Sequence, residues 1–179
     1  EDKTNFIQLL KKAPTAFWQI GLVQFFCWAA FMYMWSYTNG AVSETVWGTT
    51  DATSAAYQEA GNWVGILYAV QAVGAVVWAA ILPNIGSTKV GYSLSLVIGG
   101  LGFALVPFCS ADAFGLEAAK YVQFVPFLMI GCAWAAMLAM PFTLVTNALQ
   151  GYGHLGQYLG LFNCTICLPQ IVAALLGGS

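Results

Sequence analysis

Apolar residues run along this chain in blocks of about 20, separated by short polar intervals, and such blocks predict helices long enough to cross a bilayer. Five are legible, over about residues 17–38, 62–82, 90–108, 120–147 and 157–178. Ahead of them, residues 1–15 are polar and carry Lys3, Lys11 and Lys12. Phe6, Leu9 and Leu10 share one face there, which predicts a short amphipathic helix at the membrane boundary, with Pro14 ending it or opening the next one. Residues 39–60, with Glu44, Asp51 and Glu59, are polar, Thr49 to Ser54 show no apolar period, and the stretch predicts a solvated loop, with room for a short helix before Gly61. The stretch from Pro83 to Lys89 reads as a tight turn, residues 109–119 as a short loop with Asp112 and Glu117, and Gln150 to Gly156 as a glycine-rich turn holding His154.

Within the blocks, polar and aromatic residues recur at helical steps. In the first span Gln24, Trp28, Phe31, Trp35 and Thr38 share a face; in the second, Tyr68, Gln71, Ala75 and Trp78; in the fourth, Gln123, Phe127, Ile130, Trp134, Met137 and Pro141. The first stripe has two readings, an aromatic wall of a cavity or a packing seam between helices with interfacial aromatics. The third span is rich in glycine (Gly99, Gly100, Gly102) and otherwise aliphatic, which assigns it to packing or lipid contact. The fifth carries no charge and is roughly 33 Å long as a helix, yet Asn163, Pro169 and Gln170 interrupt its middle. Hydrocarbon offers an amide no partner, so Asn163 and Gln170 are expected to face protein or a water-filled cavity, as in a transport path.

Composition narrows the class. The chain is 60% hydrophobic and 7% charged, with mean hydropathy +0.75, whereas a soluble domain carries about 25% charged residues. The expected class is all-α membrane, a polytopic helical bundle with residues 1–15 as a cytoplasmic segment and 16–179 as the bundle. With no arginine, 5 lysines and a net charge of −2, nothing points to a nucleic-acid partner. The first apolar run lacks a small-residue cleavage site, so it reads as a span and not a removable leader. Cys164 and Cys167 form a C-x-x-C, but with His154 the single histidine and no second cysteine pair, the five cysteines Cys27, Cys109, Cys132, Cys164 and Cys167 read as small core residues. No metal and no cofactor is expected. Counted alternately across the spans, one side holds Lys3, Lys11, Lys12 and Lys89 and the other Lys120, which predicts a cytoplasmic N-terminus and an acidic exterior. The chain begins at Glu1 rather than Met, and the expectation is a piece of a longer protein.

This order of spans resembles helices seven to eleven of a major facilitator superfamily transporter, and within that superfamily the sucrose-type sugar–cation symporters and their bacterial relatives. Three segments carry the resemblance: Tyr37-Thr38 followed by Val46-Trp47-Gly48; Ala135 to Val145, with Pro141-Phe142-Thr143; and Gly156-Gln157-Tyr158-Leu159-Gly160-Leu161-Phe162-Asn163 followed by Leu168-Pro169-Gln170-Ile171. It covers about residues 17 to 178. Two positions depart from the pattern. The cytoplasmic turn, usually rich in Asp, Gly and Arg, retains Gly86 and Lys89, and Asn39 stands where an Asp often follows the seventh-helix Thr.

The resemblance implies a twelve-helix fold whose N-terminal half lies outside these residues, and a secondary sugar transporter in an inner (cytoplasmic) membrane. It implies proton-coupled symport of di- or oligosaccharides by alternating access. No Asp, Glu, Lys or Arg lies in the middle of a span, so the titrating carboxylate is expected in the missing half. A sugar needs flat apolar rings and neutral amides or hydroxyls. The candidate substrate-binding residues are therefore Trp28, Trp35, Tyr37, Tyr68, Gln71, Trp134, Asn163 and Gln170, with Gly86, Lys89, Pro141 and Pro169 as gating or hinge positions. For each amide, a hydrogen bond that only fixes packing remains the competing role. A carrier of glycosides with Na⁺, of drugs or of peptides, or a structural subunit, are the alternatives. An intramembrane enzyme would need a nucleophile, a metal cluster or a buried carboxylate pair, and none is legible, so no enzyme is expected.

Overall fold

The computed structural model describes residues 5–177, which form helices joined by short loops and turns, with no strand among them. The helices are α1 (Phe6–Lys12), α2 (Thr15–Trp47), α3 (Ala55–Ile81), α4 (Thr88–Leu105), α5 (Ala111–Phe114), α6 (Leu116–Val122), α7 (Phe124–Ala148), α8 (Leu155–Phe162) and α9 (Cys164–Gly177). Five segments are long and apolar enough to cross a membrane: Thr15–Trp47, Ala55–Asn84, Thr88–Phe108, Leu116–Ala148 and Leu155–Gly177. With five such segments in so apolar a chain, the protein is an integral membrane protein. Lys3, counted above among the cytoplasmic lysines, and Gly178, the expected end of the fifth span, lie outside the described residues.

The spans match the expected blocks, but three boundaries differ. The first helix does not stop at Thr38 and continues through the expected loop to Trp47. Hydroxyls that would otherwise disrupt a helix bond back to it. Thr38 Oγ1 donates to the Met34 carbonyl, Ser43 Oγ to Asn39 at 2.7 Å and Thr45 Oγ1 to Ala41 at 2.7 Å. Val42 and Val46, one turn apart, are then buried against Val64, Leu67, Ala119 and Phe127. The solvated loop shrinks to residues 48–54. In it the hydroxyl and backbone N–H of Thr53 both donate to Asp51, holding that carboxyl below its usual range. Ser54 then caps α3 by accepting from Tyr57 N–H at 3.1 Å.

The fourth span is interrupted at Gln123, between α6 and α7, before either of its prolines. The Gln123 Nε2 donates to the carbonyls of Val106 at 3.1 Å and Cys109 at 2.9 Å. Both carbonyls follow the end of α4; that of Val106 also accepts the Cys109 N–H at 3.2 Å, and the amide adds a cap from another span. Gln123→Leu is expected to cost about 1–3 kcal/mol by removing the donor to the buried Cys109 carbonyl, measurable as a lowered midpoint of thermal unfolding in detergent. The fifth span breaks at Asn163, where Ile166 N–H bonds three residues back at 3.0 Å and tightens the turn. Pro141 and Pro169, expected hinges, both lie buried inside continuous helices, α7 and α9.

The residues group into two compact units, Glu1–Tyr33 with Ala139–Ser179, and Met34–Leu138. In the first, α1 is anchored by Leu9, which is buried with Phe17, Val145, Leu149, Tyr158 and Phe162. Tyr158 Oη donates to the Leu9 carbonyl at 3.0 Å. Phe6, placed on the same face by periodicity, is instead 59% exposed. In the second unit α7 packs backbone-close against two neighbours. A Cβ on Gly131 would overlap the Gln71 carbonyl of α3, and one on Gly99 of α4 would overlap the Ala133 Cβ. Trp78 Nε1 donates to Ser95 Oγ at 2.7 Å between α3 and α4. The third span is thus a packing element, as its glycines predicted.

At one end of this unit, Lys120 Nζ lies 2.9 Å from Glu117 and 3.4 Å from Glu59, and 5.4 Å from the centre of the Trp47 ring. Trp63 Nε1 donates to the Lys120 carbonyl at 3.0 Å. One cation therefore links α2, α3 and α6.

Candidate functional site

The expected substrate residues divide between the two units. Trp35, Tyr37, Tyr68, Gln71 and Trp134 fall in Met34–Leu138, and Trp28, Asn163 and Gln170 in the other.

In Met34–Leu138, four of the five lie on the packed helices α2, α3 and α7, and two of them touch. Trp35 and Trp134 meet edge to face, with ring centres 5.6 Å apart and planes at 80°. Tyr68 Oη approaches the Met34 carbonyl at 3.5 Å, and its ring meets Phe127 edge to face at 6.2 Å. Gln71, one turn beyond Tyr68 on α3, lies against α7 where Gly131 lets the backbones approach, and Trp134 follows Gly131 by one turn. Gln71 is 7% exposed, and its Oε1 has no hydrogen-bond partner among the described residues. A buried amide oxygen without a donor is costly, about 1–3 kcal/mol, and is the kind of acceptor that a ligand hydroxyl satisfies. Trp35, by contrast, is 42% exposed. The set therefore offers an accessible aromatic edge and a closed amide. Tyr37 does not join it. Two residues beyond Trp35, it points about 200° round the helix and is exposed.

In the other unit the expectations fare differently. Asn163 is exposed, so the rest of the chain does not enclose it. The Gln170 Nε2 donates to the Ile166 carbonyl of its own helix at 3.0 Å, which satisfies it locally. Trp28 is half-buried. Gln24, left out of the expected site, is completely buried, and neither atom of its amide has a partner among the described residues. It shared the Trp28–Trp35 stripe in the sequence. An amide on an aromatic stripe inside a charge-free span was the signal that could have found it, the same signal that pointed to Gln71.

The proposed gating positions lie apart from these groups in kind. Gly86 sits in the exposed turn, and Lys89 is exposed in the first turn of α4. A cation there opposes the helix dipole and gains nothing for folding. Cys164 and Cys167 are exposed on α9, not in the core as expected, while Cys109 is buried, and burial pushes its thiol above the usual range. The chemistry on offer is apolar and amide, suited to neutral, hydroxyl-bearing ligands. Comparison with family models, with curated proteins and with solved structures returns no match to this chain.

Proposed function

We propose that this chain is part of the C-terminal half of a secondary sugar transporter of the major facilitator type, working by alternating access and coupling di- or oligosaccharide entry to protons. The observation that carries this reading is the buried Gln71 amide, its Oε1 without a partner among the described residues, in the same compact unit as Tyr68 and the Trp35–Trp134 pair, inside spans that hold no charge at mid-depth. Aromatic faces and neutral amides are the groups a sugar uses, and they do not select for ionic cargo. The resemblance of Gly156 to Asn163 and Leu168 to Ile171 to the eleventh-helix pattern supports the family assignment. The lysine asymmetry supports an N-terminus in the cytoplasm of an inner membrane. With no carboxylate at mid-span, proton coupling falls to the half that completes the bundle, and this chain supplies one wall of the sugar site. No catalytic role is assigned to any of its residues.

The test is uptake of radiolabelled maltose and sucrose by cells or vesicles containing the complete protein, with and without a proton uncoupler. Uncoupler-sensitive accumulation of either sugar is expected. A strict Na⁺ requirement, or efflux of lipophilic cations with no sugar uptake, would transfer the chain to another substrate class of the same skeleton.

A further inference from the structure

A groove of about 430 Å³ opens within the unit formed by Glu1–Tyr33 and Ala139–Ser179, within the ~300–1,000 Å³ of small-molecule sites. Leu10 of α1 stands at it, Phe17, Trp18, Leu22 and Phe25 of α2 form one wall, and Cys164, Thr165 and Leu168 of α9 contribute to the other. The lining is almost wholly apolar. The Thr165 hydroxyl, its principal polar group, already donates to the Phe162 carbonyl at 2.6 Å. From Phe17 to Phe25 the α2 wall rises roughly 12 Å, most of the ~15 Å that one leaflet contributes to a bilayer core. The groove therefore runs inward from the end where α1 lies.

Charge decides what fits it. Among the described residues of this unit there is no Asp or Glu, and Lys11 and Lys12 are the only formally charged side chains. Both are exposed, they follow Leu10 directly, and they occupy the last turn of α1, held in place through the buried Leu9. Trp18, 53% exposed, stands at the same end, as an interfacial aromatic would. Two cations that directly follow the groove-lining Leu10, with no carboxylate among the described residues of the unit, set basic charge beside an apolar groove one leaflet deep, and an anionic headgroup with an acyl chain is complementary to that combination. We propose that the groove between α1, α2 and α9 holds an anionic phospholipid, with one acyl chain along Phe17–Phe25 and its phosphate at Lys11 and Lys12. The lipid ties the short α1 helix to the bundle, and its binding is independent of the cargo the protein carries.

The test is native mass spectrometry of the complete protein in detergent, titrated with palmitoyl-oleoyl phosphatidylglycerol or with phosphatidylcholine of the same chains. Phosphatidylglycerol should be retained about tenfold or more over phosphatidylcholine, as two lysines near an anionic group imply. Lys11→Gln with Lys12→Gln should bring the two lipids to parity. Cys164→Trp, at an exposed lining position, should lower retention of both. Parity in the unaltered protein, or a preference that survives loss of both lysines, would overturn the proposal. So would full competition by glycerol phosphate without chains, or a second polypeptide found seated in the groove.

Discussion

Gly131→Leu is expected to disrupt the packed core of the Met34–Leu138 unit. A Cβ at that position would overlap the Gln71 carbonyl oxygen and stand 2.8 Å from the Ala75 nitrogen and 3.1 Å from the Gly74 carbonyl carbon. These are backbone atoms of α3 and cannot rotate aside, so two helices must separate. Overpacking of a close-packed interior costs about 1–3 kcal/mol, occasionally more, and a backbone clash belongs at the upper end. The opposing gain, removal of a helical glycine, is about 1 kcal/mol. A net loss of a few kcal/mol is large against a total stability of about 5–15 kcal/mol. The comparison that isolates the effect is Gly100→Leu. Gly100 is also helical, but a Cβ there meets nothing within 4 Å, so its substitution should leave the thermal midpoint unchanged or raise it. Equal midpoints for the two variants would show that α3 and α7 do not pack through Gly131.

Gln71→Met separates the two roles open to that amide. Methionine is close to isosteric and apolar, and it removes the buried Oε1 that has no partner in the fold. Exchanging an unsatisfied buried polar group for an apolar one of similar shape is neutral or stabilising, by up to about 1–3 kcal/mol. If Gln71 bonds a sugar hydroxyl, transport suffers in the same variant. Loss of one hydrogen bond worth about 1–3 kcal/mol is roughly 5- to 150-fold in affinity. The expected result is a protein at least as stable as the parent, with KM for uptake raised more than tenfold. Trp134→Ala should also weaken uptake, through the aromatic edge it forms with Trp35. Normal uptake affinity in both variants would remove these residues from the sugar site, whatever the stability.

Much of the architecture was legible because hydrocarbon imposes a local rule. A segment without charges and about 20 residues long must hydrogen-bond its own backbone, so each apolar block is a helix wherever it sits in the bundle. The serine caps at Ser54, Ser87 and Ser110, which the pattern of spans does not single out, are local as well, each hydroxyl accepting from the backbone N–H three residues on. The mid-span amides were also visible as candidates, since a polar side chain at that depth is costly by itself. What only the tertiary structure decided is which of them the fold satisfies. Gln170 looks like Gln71 and Gln24 in sequence, yet it bonds its own helix while those two stay buried with polar atoms unmatched, and Gln123 stands between them, its Nε2 bonded to another span and its Oε1 without a partner among the described residues. The extension of α2 through residues 39–47 was hidden for the same reason. Its polar residues argue for a loop, and only contact of Val42 and Val46 with α3, α6 and α7 makes helix the better state there. Composition sets where a helix is possible, but the partner of each face is chosen by residues distant in the chain, and no window of the sequence contains both.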